Sequence, residues 1–429
     1  MLRSLRYLFT VPIALVLLEP AIFISTLSQP PKSLVITVSI NGSTIKAVDN
    51  SGNVIATGND AATVIQESVN KMKASPEGGT IHVDQGTYLI SKPLDLSGAN
   101  NIILEGASRD GTILRASTPG IHMLDQRGNT SNFDRNMTIQ KLTLDGAGIS
   151  DKLLDMGYVE NLDLLDCVLE GHHEVGGGPG VIMRSIRDGL IQHCISRNHS
   201  GTGGDLSING WNIRVLNNEV YRANGIHGAG GAIASAGIVS GEIAYNYIHD
   251  GDWNGAITLE NQARGSKNLR VHDNRIENLA GAAINMNNYA LDGSHQPHDK
   301  IEIDNNIITN VSSFGIRLGA YTLDDGCNYP QGITPPDCRK NELYTNFKIH
   351  NNTIRNTELA IFAGPLQNSD IYNNDIGQAS GALIRLFSNS TQDNDVTDNV
   401  RVYNNSHVET SEVEYEGSGK IYIGEGQSA

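Results

Sequence analysis

The sequence predicts an all-β chain wound into a single right-handed parallel β-helix of about ten turns, with a capping α-helix at its start. Three observations carry this. A phrase of the form apolar, x, x, small polar, x, apolar returns along the chain, as in "NLRVHDNRIEN" (268–278), "IEIDNNIITN" (301–310) and "FKIHNNTIRN" (347–356). After a Gly-rich turn each phrase is followed by a second short alternating run, such as "GAITLEN" (255–261) or "FGIRLGA" (314–320). The composition, with 46 Gly against 7 Phe and 2 Trp, suits stacked small apolar residues better than a bulky aromatic core.

The elements follow in chain order. Arg3 and Arg6 precede an apolar run that ends at Glu19-Pro20, which reads residues 1–28 as a signal peptide or, uncleaved, a signal anchor. The rest holds no second apolar segment of spanning length, so the chain is expected to be secreted or held at the cell surface. Residues 29–58 read as a linker and a small β-hairpin, with turns at Asn41-Gly42 and Ser51-Gly52. In "NDAATVIQESVNKM" (59–72), Ala61, Ile65, Val69 and Met72 share one helical face behind an Asn59 or Asp60 N-cap, predicting a helix near 60–74. Such a helix would cover the open apolar end of a solenoid.

The parallel β-helix is assigned to residues 59–408, and 409–429 to a polar acidic tail with one candidate strand, "KIYIG". Within the helix the small polar position falls at Cys167, Cys194, Asn218, Asn246, Asn274, Asn306, Asn352, Asn374 and Asn405. Successive positions are 22 to 46 residues apart. Where a coil bends, inward backbone groups lose their ladder partners, and an amide side chain offers both a donor and an acceptor. The asparagines therefore read as scaffold. Asn198, Asn278, Asn310 and Asn356 are expected to form a second inward column.

The segments "DAATVIQESVNKM", "GGTIHVDQGTYLISKPLDL" and "NIILEGAS" resemble the opening module of the pectate-lyase-like β-helix superfamily. That resemblance implies the same fold. It does not imply one activity, because the fold hosts lyases, hydrolases, epimerases and non-enzymes.

Inward positions make the core, so chemistry belongs on outward positions and on the loops. Acids, imidazoles and guanidinium groups concentrate there between residues 170 and 320. The net charge of −16 disfavours nucleic acid, whose binding depends on neutralised phosphates. The mixture suits an acidic, uronate-containing glycan, whose modification needs a cation on the carboxylate and a group to move the adjacent proton. Arg317 or Arg264 would neutralise the carboxylate, and His249 or His298 would move the proton beside Glu260. Trp253 and Tyr321 would stack on sugar rings, with Asp252, Asn287 and Tyr289 as further contacts. The stretch "NYALDGSHQPHDKIEIDNN" (288–306) also resembles the tyrosine and "DPH"-acid pattern of mannuronan C5-epimerases through Pro297, His298 and Asp299. It departs at Gln296, where that family has an aspartate.

Of the elements typical of polygalacturonase-type hydrolases, only Asp324-Asp325 and an echo in "GIHGAGG" (225–231) are present, which disfavours a glycoside hydrolase. The leading expectation is a monomeric exported polysaccharide lyase or C5-epimerase. A non-enzymatic, glycan-binding surface protein is the alternative, and eight N-x-S/T triplets suit it. No cofactor is required, although calcium between carboxylates of adjacent turns stays open. Cys327 and Cys338 flank a Pro- and Gly-rich loop and are expected to pair as a disulfide after export, whereas Cys167 and Cys194 belong to the repeat.

Overall fold

The computed structural model describes residues 33–128, 130–173, 178–200, 204–222, 230–260, 264–287, 297–319, 344–381, 383–388, 396–408, 410–417 and 419–424. The N-terminal segment, Tyr289, Tyr321, Cys327 and Cys338 lie outside these residues, as does the side chain of Asn287. The chain opens with an antiparallel meander, Leu34–Asn41, Thr44–Asp49 and Val54–Gly58. Its first strand also pairs in parallel with Gly79–Val83, so the meander joins the first rung. Between them lies the helix Ala61–Lys73, capped by Asp60, whose carboxylate accepts the Thr63 amide N–H. Its Ala61, Val64, Ile65, Val69 and Met72 are buried in the same core as Ile36, Ile81 and Ile90.

From there the chain forms a right-handed parallel β-helix with three stacked ladders. Sheet 1 holds the strands before each ladder asparagine, such as Lys267–His272 and His298–Asp304, in parallel register. Sheet 2 holds those after it, such as Tyr247–Gly251 and Arg275–Leu279. Sheet 3 holds Gly255–Glu260 and Ala282–Asn287, whereas Ile307–Leu318 bends through both sheets 2 and 3. In sheet 2 the inward column runs Leu169, Ser196, Val220, Ile248, Ile276, Ile308, Ile354 and Ile376, all fully buried.

The asparagine ladder closes the corner between sheets 1 and 2. Asn274 donates from its backbone N–H to the Asn306 Oδ1 at 3.1 Å and from its own Nδ2 to the same oxygen at 3.0 Å. Its other amide hydrogen goes to the Ile243 carbonyl at 2.9 Å. The same bonds recur from Asn218 to Asn374. Each of these amides thus uses two donors, and each Oδ1 from Asn246 onward accepts twice, whereas that of Asn218 accepts once, from the Cys194 N–H. The residue before each ladder position, from Asp166 and His193 to Asn373 and Asn404, takes a left-handed φ of 50–59°.

The expected second inward column is corrected. Asn198, Asn278, Asn310 and Asn356 also have positive φ, and the reversal turns their side chains out to solvent. There Asn356 and Asn310 each donate to the asparagine or carboxamide of the preceding rung, at 2.8 and 3.2 Å. A third, exposed series opens the strands of sheet 1, with Asn136 donating to Asn101 and Asn399 to Asn368. L-residues pay to enter this region, and Asn pays least among non-glycines, so one residue type serves both inner and outer corners. The polar tail is also corrected: Val413–Glu416 and Ile421–Ile423 pair in parallel with Ile384–Phe387 and Asp398–Tyr403, so the ladders continue into it.

One part of the interior is ionic. At the corner between sheets 2 and 3, Arg222 and Asp205 form a fully buried pair at 2.8 Å. The Trp253 Nε1–H donates to the other Asp205 oxygen at 3.1 Å, and Asp252 lies 3.6 Å from Arg222. Trp253 is 0% exposed, so its expected stacking on sugar is wrong. Asp252 likewise belongs to this buried cluster and not to an outer groove. Next to it the His172 and His199 rings lie 5.0 Å apart, and His199 Nε2 meets Ser196 Oγ at 2.9 Å. Burial, and then the Arg222 charge, push His199 down to about 3, so it is neutral at pH 7. Burial pushes the Asp205 carboxyl up, while Arg222 and the indole N–H oppose it.

Two outcomes follow for denaturation experiments. Asn306→Ala should destabilise the chain by at least about 2 kcal/mol, because it strands buried amide and backbone groups, whereas the exposed Asn310→Gly should cost less than about 1 kcal/mol. Asp205→Asn should cost about 3–5 kcal/mol by leaving the Arg222 charge buried without its counter-ion, and the paired change of Asp205→Leu with Arg222→Met should cost less.

Candidate functional site

The expected site residues divide between two faces. Glu260 ends the sheet 3 strand Gly255–Glu260 and pairs in register with Asn287. On that strand Ile257 and Leu259 are fully buried in the core, which directs Thr258 and Glu260 outward. Thr258, Asn285 and Arg317 then follow one another across three successive rungs of the same outer column. Arg317 is therefore two ladder steps from the Glu260 strand, about 10 Å along the coil axis. Its Nε–H donates to the Gly319 carbonyl at 3.0 Å, and its guanidinium lies 5.3 Å over the Phe314 ring. Between them Asn285 is 1% exposed, and its Oδ1 has no hydrogen-bond partner among the described residues. A buried acceptor left unpaired beside an arginine is costly where only packing is at stake.

His298 starts the next sheet 1 strand, at the corner where sheet 3 passes into sheet 1. It is 2% exposed and stacks in parallel on Tyr344 at 5.6 Å. Its Nδ1 accepts the Ser266 backbone N–H at 3.1 Å. Ser266 Oγ accepts the Ile238 N–H and Thr397 Oγ1 the Leu366 N–H at equivalent corners, so His298 fills a structural slot. The expectation that it moves a substrate proton is corrected on that ground. His249 stands on another face, outward on sheet 2. Its Nδ1 meets Asp250 at 2.8 Å and its Nε2 meets Glu219 at 3.3 Å, and its ring lies between Tyr221 and Tyr247. Both nitrogens are engaged, and the ring faces are covered. The structure does not bring His249 to Glu260 and Arg317.

Arg264 does lie at the corner of sheets 3 and 1. It stacks on Trp211, with its Cζ 3.8 Å from the ring centroid. Trp211, which the sequence reading does not single out, is the tryptophan with an exposed ring, at 37%. Its signal was its place: it directly precedes Asn212, a left-handed corner residue, at the outward slot that opens a sheet 1 strand. Arg187 occupies the same slot one rung earlier and lies 4.1 Å over Phe133.

Two groups of side chains bring metal-type ligand atoms within 4.8 Å of one another: His122, Asp125 and Asp155, and Glu302, Asp304 and His350. Most of the acids already have arginine partners, Arg127 on Asp125, Arg184 on Asp155 and Arg270 on Asp304 at 2.6 Å, while Glu302 meets His350 at 2.8 Å. Neither group lies with Glu260 and Arg317. Their imidazoles also suit a softer ion better than calcium.

Among solved structures, the chain is similar in fold to the Dettilon tailspike protein, with a TM-score of 0.55 and 14% identity over 85% of this chain and 65% of that one. The tailspike protein of E. coli bacteriophage HK620 gives 0.52 and 12% over 87% of this chain and 70% of that one. A mannuronic acid specific polysaccharide family 6 lyase from human gut microbiota gives 0.51 and 13% over 84% and 82%. At these identities the likeness is one of fold. No curated protein matches the chain by sequence. The model of one family does match, over residues 47–288, from the opening meander to just past the strand Ala282–Asn287. More than half of the chain lies within that match, and the protein belongs to the rhamnogalacturonase A/epimerase, pectate lyase-like family.

Proposed function

We propose that this protein is a carbohydrate-active β-helix that acts on an acidic, uronate-containing polysaccharide at the corner between sheets 3 and 1, as a lyase or C5-epimerase. The observation that carries the reading is the outward column Thr258, Asn285, Arg317 beside Glu260, with the unpaired Asn285 oxygen buried in its middle. In this reading Arg317 faces the uronate carboxylate. Its Nε–H is held by the Gly319 carbonyl, which fixes the plane of a fork suited to a planar anion. Neutralising that carboxylate acidifies the adjacent C–H, and Glu260 takes the proton. In a lyase the electron pair of the broken C5–H bond forms the C4–C5 double bond as the C4–O bond breaks, and the departing glycosidic oxygen takes a proton from water. In an epimerase a proton returns from the other face. Membership of a family named for a rhamnogalacturonase and an epimerase supports a glycan as the partner. Action outside the cell or at its surface belongs to the same proposal.

A second reading, glycan binding without catalysis, is favoured by one observation: His249 and His298 are both engaged in holding the scaffold. A panel of alginate, pectate and glycosaminoglycans separates the two. Ultraviolet absorbance would report the unsaturated uronide of a lyase, and NMR would report C5 inversion. Turnover of one polymer that falls about 100-fold or more in Glu260→Gln and in Arg317→Ala is the expected result. Binding with no product from any polymer would favour the second reading.

A further inference from the structure

Arginine in this chain is generally matched to a carboxylate. Arg115 faces Asp145, Arg135 faces Glu160 and Arg401 faces Asp370, as a chain of net charge −16 readily allows. Arg187 and Arg264 depart from this. Neither makes an ion pair among the described residues, and both lie flat on aromatic rings instead. The Arg264 guanidinium is 3.8 Å from the Trp211 ring centroid. That of Arg187 is 4.1 Å from Phe133 and 5.7 Å from Trp211. Phe133 is braced edge-on by Tyr158 at 5.7 Å. Arg264 is half-buried, and burial lowers its pKa with no carboxylate to oppose the shift.

Backbone geometry reserves room for the arrangement. Arg264 reaches back past the intervening rung, where its N–H donates to the Ala236 carbonyl. Gly237 lies beneath it at φ +124°, and a Cβ there would stand 2.0 Å from the Arg264 carbonyl oxygen and 2.5 Å from its Cγ. Two cations are thus held near one indole, neither in an ion pair among the described residues. A guanidinium stacked by its face keeps its N–H edge for a planar acceptor.

We infer that Arg187, Trp211 and Arg264 form a carboxylate-binding subsite for an acidic polysaccharide, at the start of sheet 1 and next to the corner that follows Glu260. Trp211 is the platform that fixes both forks, and its exposed edge meets the sugar ring. The subsite deepens the reading of the preceding section by assigning recognition of the polymer's charge to residues beside, and distinct from, Glu260 and Arg317. A uronate polymer carries its carboxylates on stacking sugar rings and so matches both halves of the subsite. The acidic remainder of the surface repels the denser charge of a nucleic acid.

The test uses the full chain, with polygalacturonate and alginate as probes, dextran as the neutral control and duplex DNA as the competing polyanion. Arg187→Gln, Arg264→Gln and Trp211→Ala should each raise the Kd for an acidic polymer about tenfold and weaken its salt dependence, with no binding of dextran by any form. Trp211→Phe, which keeps a platform, should recover part of the loss, and unchanged thermal unfolding of the variants excludes misfolding as the cause. Wild-type affinity in Arg187→Gln and Arg264→Gln would overturn the subsite, as would equal binding of dextran or tighter, equally arginine-dependent binding of DNA. Glu260→Gln separates this result from the reaction. If no polymer is turned over but binding still depends on the two arginines, the reaction is wrong and the subsite stands.

Discussion

The amide ladder at the corner of sheets 1 and 2 is the constraint on which the rest of the molecule depends. A parallel coil must turn its backbone into the core once per rung, where main-chain groups have neither a strand partner nor water. From Asn218 to Asn405 one side chain per turn answers this need and, in the same contact, fixes the spacing of successive rungs. The left-handed residue just before each ladder position makes the bend that aims the amide inward.

With the interior committed in this way, outward side chains are left to neutralise one another. On sheet 1 the register places Arg214, Glu242, Arg270, Glu302, Lys348, Asp370 and Arg401 in a single column of alternating sign. Surface pairs of this kind contribute little each, but they leave few bare charges. Against so balanced a surface an unmatched group is informative. Arg187 and Arg264 are unmatched outside, and the Asn285 oxygen is unmatched beneath the outer column of sheet 3.

Much of the architecture was legible because the ladder repeats a residue type at a fixed place in a phrase, and local period and turn chemistry agree with it. What was not legible turned on side-chain direction. Asn278 and Asn274 are four residues apart in one phrase, yet a single positive φ at Asn278 sends it to solvent. The two tryptophans differ in exposure for the same reason. Trp211 opens a strand at an outward slot, while Trp253 follows a corner and folds in to meet Asp205. His298 sits in a motif-like stretch but takes a corner slot that serine or threonine fills on other turns. Sequence spacing gives the turn on which a residue lies and leaves the face open wherever the corner conformation varies.

The buried ion pair and the exposed arginine clamp break the rule of the coil in opposite directions, and one strand joins them. Asp205, held by Arg222 and Trp253, directly precedes Leu206–Leu216, which carries Trp211. Trp211 follows six residues on, just where this strand turns from sheet 3 into sheet 1 at Gly210 and Asn212, so the anchored end and the displayed indole belong to one hydrogen-bonded strand. An apolar corner would stabilise the turn as well or better, because a buried ion pair repays its desolvation poorly. Its directional bonds, however, fix where that strand begins, and register along a strand decides which face each side chain takes. A one-residue slip would turn Trp211 into the core and leave Arg187 and Arg264 without their platform. The ionic corner thus supplies, at some cost in stability, the register that keeps the outer surface in place.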